Sequence, residues 1–175
     1  MSVHPIMVVD NRTDDRLPIP ADQVRMGDSG CGRMAGTGSG EEMALRWYTV
    51  VVDCRDVQKQ ARWWAEALDW KLIHDTENEC VILPSWVDEA VLRETPWERI
   101  GPGMVFVPVP EGKSVKNRLH IDLAPHTSQD RGAEIARLER LGATRVEVGQ
   151  PTDASWTVLS DPEGNEFCVL SSRDM

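Results

Sequence analysis

The stretch KNRLHIDL, residues 116–123, sets Arg118, His120 and Asp122 at every second position. In an extended strand, side chains alternate between faces, so these three share one side and Leu119, Ile121 and Leu123 share the other. A cation, an imidazole and a carboxylate on one face are the parts of an acid–base or anion-gripping site if that face looks into a pocket. Histidine is the residue type whose ionisation lies nearest neutral pH, which suits His120 to proton transfer. The competing reading has it hydrogen-bond to Asp122 or a neighbouring strand and serve structure alone. Arg118 offers a planar fork to a carboxylate or phosphate, or pairs internally with Asp122 or Glu166.

The rest of the chain limits which chemistry that face can serve. Its 175 residues suffice for one domain with a full core, or for two small units sharing one. A hydrophobic fraction of 41% and seven tryptophans fit a folded globular protein. The formal charge of -10 leaves no basic surplus to replace counterions along a phosphate backbone, so no nucleic-acid partner is expected. Cysteines at 31, 54, 80 and 168 show no C-x-x-C pair and read as reduced thiols of a cytoplasmic protein. No apolar run reaches the roughly 20 residues of a membrane span, and the N-terminal residues do not resemble a secretory signal. Residues 1–42, with GDSGCGRMAGTGSGEE at their end, lack an apolar period. They are expected to be a disordered leader that contributes nothing to the fold, with Met43 as an alternative translation start.

Positioning the candidate groups requires a regular succession of elements. Arg46–Asp53 reads as a β-branched strand. Asp56 suits the N-cap of a helix through Leu68, with Val57, Ala61, Trp64, Ala65 and Leu68 on one face. Lys71–Asp75, Cys80–Leu83 and Met104–Val109 read as strands, the last two separated by a long insertion over 84–103 with a short helix near Val87–Arg93. The second half repeats the order. A strand over Arg118–Ala124 precedes a capping-box pattern at Thr127–Asp130 and a helix that ends at Leu141, with Gly142 as its stop. Strands follow at Arg145–Val148, Ser155–Ser160 and Glu166–Ser171, the last two joined by the turn DPEGN. The order βαβββ therefore occurs twice, an α+β arrangement repeated in topology with little residue identity.

Taken in this order, TVVVDCRDVQKQARWWAEALDW, KNRLHIDL, LERLGA and WTVLSDPEGNEFCVL resemble the vicinal oxygen chelate superfamily. Within it, the chain is most similar to glyoxalase-like proteins beside the glyoxalase I, bleomycin-resistance and extradiol dioxygenase groups, over Leu45–Leu170. The resemblance implies one domain over 43–175 built from two modules, about 45–111 and about 116–171. Each would place a helix on the convex side of a curled sheet and a cleft on the concave side. Alternation then assigns Trp47, Thr49, Val51 and Asp53 to the cleft, with Val105, Val107 and Val109, Arg118, His120 and Asp122, and Glu166, Cys168 and Leu170. The superfamily's four metal positions fall on Thr49, Val107, His120 and Cys168. Only His120 is an ordinary ligand there, so no metal or other cofactor is expected. A divalent ion held by His120, Asp122 and Glu166 stands as the alternative.

Two functions follow from this reading. The first is a metal-independent small-molecule-binding protein of the bleomycin-resistance type, a homodimer by resemblance. Trp47, Thr49, Val107, Arg118, His120, Trp156 and Cys168 would contact the ligand, and the tryptophans would stack on a flat body. The second is a glyoxalase-like lyase or isomerase acting on a small carbonyl compound. There His120 is base or metal anchor, Asp122 or Glu166 the second acid–base group, and Arg118 the clamp. A regulatory or structural domain with an empty cleft is the third alternative. Trp86 and Trp97 mark the insertion as a lid or a dimer contact, and Cys168 reads as a small buried hydrophobe or, in the minority reading, a reactive thiol.

Overall fold

The run TVVVDC forms β1 (Thr49–Cys54), in which Val50 and Val52 turn to the core and Val51 and Asp53 turn away from it. This computed structural model describes residues 45–174, and the expectations for a leader over 1–42 and a start at Met43 lie outside the described residues. Asp56 caps α1 (Val57–Leu68), its carboxylate accepting from the Lys59 N–H at 3.0 Å. The helix stops at Asp69, whose φ of 54° is the left-handed conformation that short polar side chains tolerate. After it come β2 (Trp70–Asp75), β3 (Cys80–Pro84), a short helix α2 (Glu89–Glu94) and β4 (Gly103–Pro108).

The first sheet has the order β1-β4-β3-β2, with β1 and β4 parallel and the other pairs antiparallel. The second half contributes β5 (Asp122–Leu123), α3 (Arg131–Leu141), β6 (Thr144–Arg145), β7 (Thr157–Ser160) and β8 (Glu166–Val169). Its sheet runs β5-β8-β7-β6, again with the first pair parallel and the rest antiparallel. The expected repeat of βαβββ, and with it the α+β class, is therefore present in both sequence order and strand order.

The two modules share a core. Trp63 and Trp64 on α1 meet edge-on at 5.1 Å, and both pack on Phe167 of β8, at 5.8 and 5.3 Å. The first module's helix thus seats two tryptophans on the second module's sheet. Arg137 of α3 returns the contact, donating to the carbonyls of Glu66 at 3.2 Å and Ala67 at 2.8 Å at the end of α1. The DPEGN turn adds a polar clamp. Glu163 accepts from the backbone N–H groups of Arg55 and Asp56, at 2.8 Å each, and so caps the entry to α1 from the other module. Asp161, 3% exposed, accepts from Gln60, from the Trp64 indole at 3.1 Å and from the Asn165 N–H at 2.9 Å.

Several boundaries differ from expectation, each for a pairing reason. β1 begins at Thr49 and not at Arg46 because its partner β4 begins opposite it, at Gly103. β5 covers only Asp122–Leu123. Its register, Asp122 against Cys168, sets residue 120 opposite Glu166, the first residue of β8, so nothing is left for earlier residues to pair with. Arg118 and Leu119 form a bend, and Leu119, expected to meet the helices, is 88% exposed. Ile121 and Leu123 do pack against the core. The cap of α3 is Asp130, which accepts from the Ala133 N–H at 2.7 Å, while the Thr127 N–H donates to the Arg173 carbonyl. In the insertion, Trp97 packs against the chain entering β1: the Arg46 guanidinium lies 4.1 Å from its ring centroid and 4.9 Å from that of Tyr48.

Candidate functional site

The helix-free face of the second sheet carries a cavity of about 450 Å³. Strand alternation puts Asp122 of β5, Val158 of β7, and Glu166 and Cys168 of β8 on that face, while Phe167, Leu159 and Val169 go to the core. His120 reaches the cavity from just before β5, Trp156 from just before β7 and Leu170 from just after β8. The remaining wall is Lys116 and the loop Val148-Gly149-Gln150-Pro151. Gly149 has φ 86°, and Gln150 folds the loop on itself, accepting from the Val148 N–H at 2.8 Å and donating to the Val146 carbonyl at 3.1 Å. The cavity is thus apolar along Val148, Pro151, Trp156, Val158 and Leu170, and polar along Lys116, His120, Asp122 and Glu166.

At the polar end, His120 Nε2 lies 3.2 Å from Asp122 Oδ1. Asp122 is also the Cα partner of Cys168, and one donor atom from each of His120, Asp122 and Cys168 lies within 4.8 Å of the others. Burial, and then the neighbouring Asp122 carboxylate, push the Cys168 thiol up to about 11. It therefore stays protonated near neutral pH and is no free nucleophile.

Glu166 has other obligations. One oxygen accepts from Lys113 at 2.9 Å and the other from the Asn117 N–H at 3.0 Å. Burial pushes its carboxyl upward, but these hydrogen bonds outweigh it and hold the group below the usual glutamate range. A carboxylate engaged on both oxygens is poorly suited to move protons. Its work here is to tie down the segment that brings Lys116 to the cavity. Glu166 was expected among the catalytic groups, and its geometry is that of a strut.

The other expected contact residues divide by module. His120, Trp156 and Cys168 line the cavity, whereas Trp47, Thr49, Val107 and Arg118 do not. The Thr49 hydroxyl donates to the Gly103 carbonyl at 3.1 Å, and Trp47, 69% exposed, donates its indole N–H to the Thr49 carbonyl at 3.2 Å. Arg118 sits in the exposed bend before β5. Lys116 and the Val148–Pro151 loop were missed. The loop's only signal was V-G-Q-P, a glycine and a proline marking a turn directly after the strand expected at Arg145–Val148.

The superfamily's four-ligand metal site does not fit these residues. Val107 has no donor atom, and the Thr49 hydroxyl is spent on a backbone carbonyl. Neither lines the cavity that holds His120 and Cys168.

Paired βαβββ modules, each with a helix on one face of a four-stranded sheet, define the vicinal oxygen chelate fold. The profile of the glyoxalase-like domain family matches residues 49–170, and the chain belongs to that family. Among solved structures, it is similar to the fosfomycin resistance protein FosX from Mesorhizobium loti. That pair has a TM-score of 0.51 and 12% identity, covering 73% of this chain and 92% of that one. A glyoxalase/bleomycin resistance protein/dioxygenase family enzyme from Burkholderia phytofirmans PsJN matches with a TM-score of 0.52 and 14% identity, over 74% of this chain and 100% of its own. A FosX from Listeria monocytogenes, complexed with Mn(II) and sulfate, matches with a TM-score of 0.54 and 11% identity, over 75% and 93%. No curated protein matches the chain. Among the described residues, no helix is long and apolar enough to cross a membrane.

Proposed function

We propose that this chain is a small-molecule-binding protein of the glyoxalase-like family, and that the cavity on its second sheet takes a small organic ligand without the superfamily's four-ligand metal site. The supporting observation is the composition of the wall, with Trp156 and aliphatic side chains along one side and Lys116, His120 and Asp122 along the other. Such a wall suits a ligand with a flat apolar body and one polar end. The binding unit is a homodimer. The first sheet's helix-free side leaves Val51 44% exposed, and beside it Trp47 and Tyr48 are 69% and 45% exposed, an apolar area that a second copy would cover. The buried cysteines Cys54, Cys80 and Cys168 are free, which supports a reducing, cytoplasmic setting.

Titration of small aromatic acids and aromatic amines against the protein, followed by tryptophan fluorescence, tests this reading. Trp156→Ala is expected to weaken any ligand found by about 30-fold, the scale of losing a buried aromatic anchor. A ligand indifferent to Trp156→Ala would move the site elsewhere, and failure of the whole panel to bind would leave the cavity without a binding role.

A second reading, a lyase or isomerase acting on a small carbonyl compound, is favoured by the 3.2 Å contact between His120 and Asp122. A carboxylate in that position orients an imidazole for proton abstraction next to a carbonyl. Turnover of 2-oxoaldehyde adducts that disappears in His120→Ala would establish it over simple binding, and the FosX likeness adds fosfomycin as a compound to assay.

A further inference from the structure

We propose that His120, Asp122 and Cys168 form a zinc site contained within the second module, in place of the four-ligand site the family fold assembles from two modules. The carriers of the three donors are fixed by the sheet. Asp122 and Cys168 face each other across the parallel pair β5–β8, and His120 stands two residues before Asp122 on the same side. One donor atom from each lies within 4.8 Å of the other two. Bonds of about 2.0–2.1 Å at a tetrahedral angle put nitrogen and oxygen donors about 3.3 Å apart, and sulfur about 3.6 Å from either. The His120–Asp122 contact of 3.2 Å already has that spacing.

The donor types choose the metal. Sulfur and imidazole favour zinc, whereas manganese and magnesium prefer all-oxygen sets. Glu166, the one other carboxylate on the cavity wall, is held by Lys113 and Asn117 and stays outside the set. Three protein donors leave zinc one further coordination position, the number found in zinc sites that hold water or a ligand. On coordination, the Cys168 thiol proton passes to solvent. The site is independent of which organic molecule the cavity takes, so an empty ligand screen would leave it standing.

The test uses the full chain, stripped with chelator and then given zinc, cobalt or manganese alone. One equivalent of zinc is expected to survive gel filtration, and manganese is expected to wash out. The cobalt form is expected to show an intense near-ultraviolet thiolate-to-cobalt charge-transfer band that Cys168→Ser abolishes. Outer partners of metal ligands already cost 10–100-fold in affinity when removed, so Asp122→Asn and His120→Ala are each expected to weaken zinc by about 100-fold or more. Asp122 and His120 are half exposed, so these variants keep the fold, which a melting curve verifies, and they decide the matter if Cys168→Ser fails to fold. Retention of manganese over zinc, a band that survives Cys168→Ser, or zinc affinity unchanged in Asp122→Asn would each overturn the proposal.

Discussion

Cys54 and Cys168 occupy positions where ionisation is opposed from two directions. Burial pushes the Cys54 thiol up to about 12, with the Glu163 carboxylate acting in the same sense, and burial and Asp122 push Cys168 up to about 11. In the metal-stripped folded protein at pH 8, iodoacetamide followed by peptide mapping is expected to leave both unmodified. Labelling of either at the rate of a free thiol would contradict the burial argument. The same shifts carry a sign for stability. A thiol that ionises later in the folded state than in the unfolded one binds more protons when folded above about pH 9. Its contribution is complete below that value and is lost as pH rises towards about 11 for Cys168 and about 12 for Cys54, so the melting temperature is expected to fall across that alkaline window. At this scale, the structure places His120, Trp156 and Cys168 on the cavity wall, and for His120 and Cys168 period-two alternation was enough to set their face. Arg118, expected on the same face, lies outside the cavity wall, since alternation holds only where a neighbouring strand enforces it, and β8 begins only opposite residue 120.

The elements owe their ends to caps that the sequence shows and to pairing that it does not. Asp56, Asp88 and Asp130 each accept from a backbone N–H three residues on, and Gly142 at φ 111° closes α3. The DPEGN turn has a second role beyond its local geometry. Glu163 satisfies the N–H groups of Arg55 and Asp56, which no residue of the first module caps. Glu163→Ala is expected to cost about 1–2 kcal/mol, the range for losing a helix cap with charge-assisted bonds. Urea unfolding measures it, and an unchanged midpoint would show that the two modules do not depend on this clamp. The turn sequence alone gave no sign of such a partner, because the groups it caps lie more than 100 positions away in the chain. β5 and β6 came out shorter than their apolar patterns suggested for reasons outside those patterns: β8 begins only at Glu166, opposite residue 120, so residues 118 and 119 have no partner, and past Val146 the chain of β6 turns away where Gln150 binds the Val148 N–H and the Val146 carbonyl.

At the scale of the whole molecule, the hydrophobic core of the described residues runs from Val50 to Val169. A chain beginning at Met43 is accordingly expected to melt within a few degrees of the full chain and to sediment as a dimer, with Val51→Glu shifting it towards monomer. A lower melting temperature on truncation would give residues 1–42 a structural role, and a dimer indifferent to Val51→Glu would place the interface elsewhere. The sequence by itself determined the repeated βαβββ order, the cap of α1 at Asp56, the stop of α3 at Gly142, the family and the core and open faces of the strands where they are paired, because these depend on neighbours within a few residues. Only the tertiary structure decided which open face becomes a cavity. Trp47, Thr49 and Val107 were assigned to the same cleft as His120, yet α1 joins the modules through Trp63, Trp64 and Phe167, and the cavity draws its whole wall from the second module. The physical reason is that alternation fixes a side chain's face within one sheet, whereas the relation between two sheets is set by side chains packing across more than 100 positions of chain.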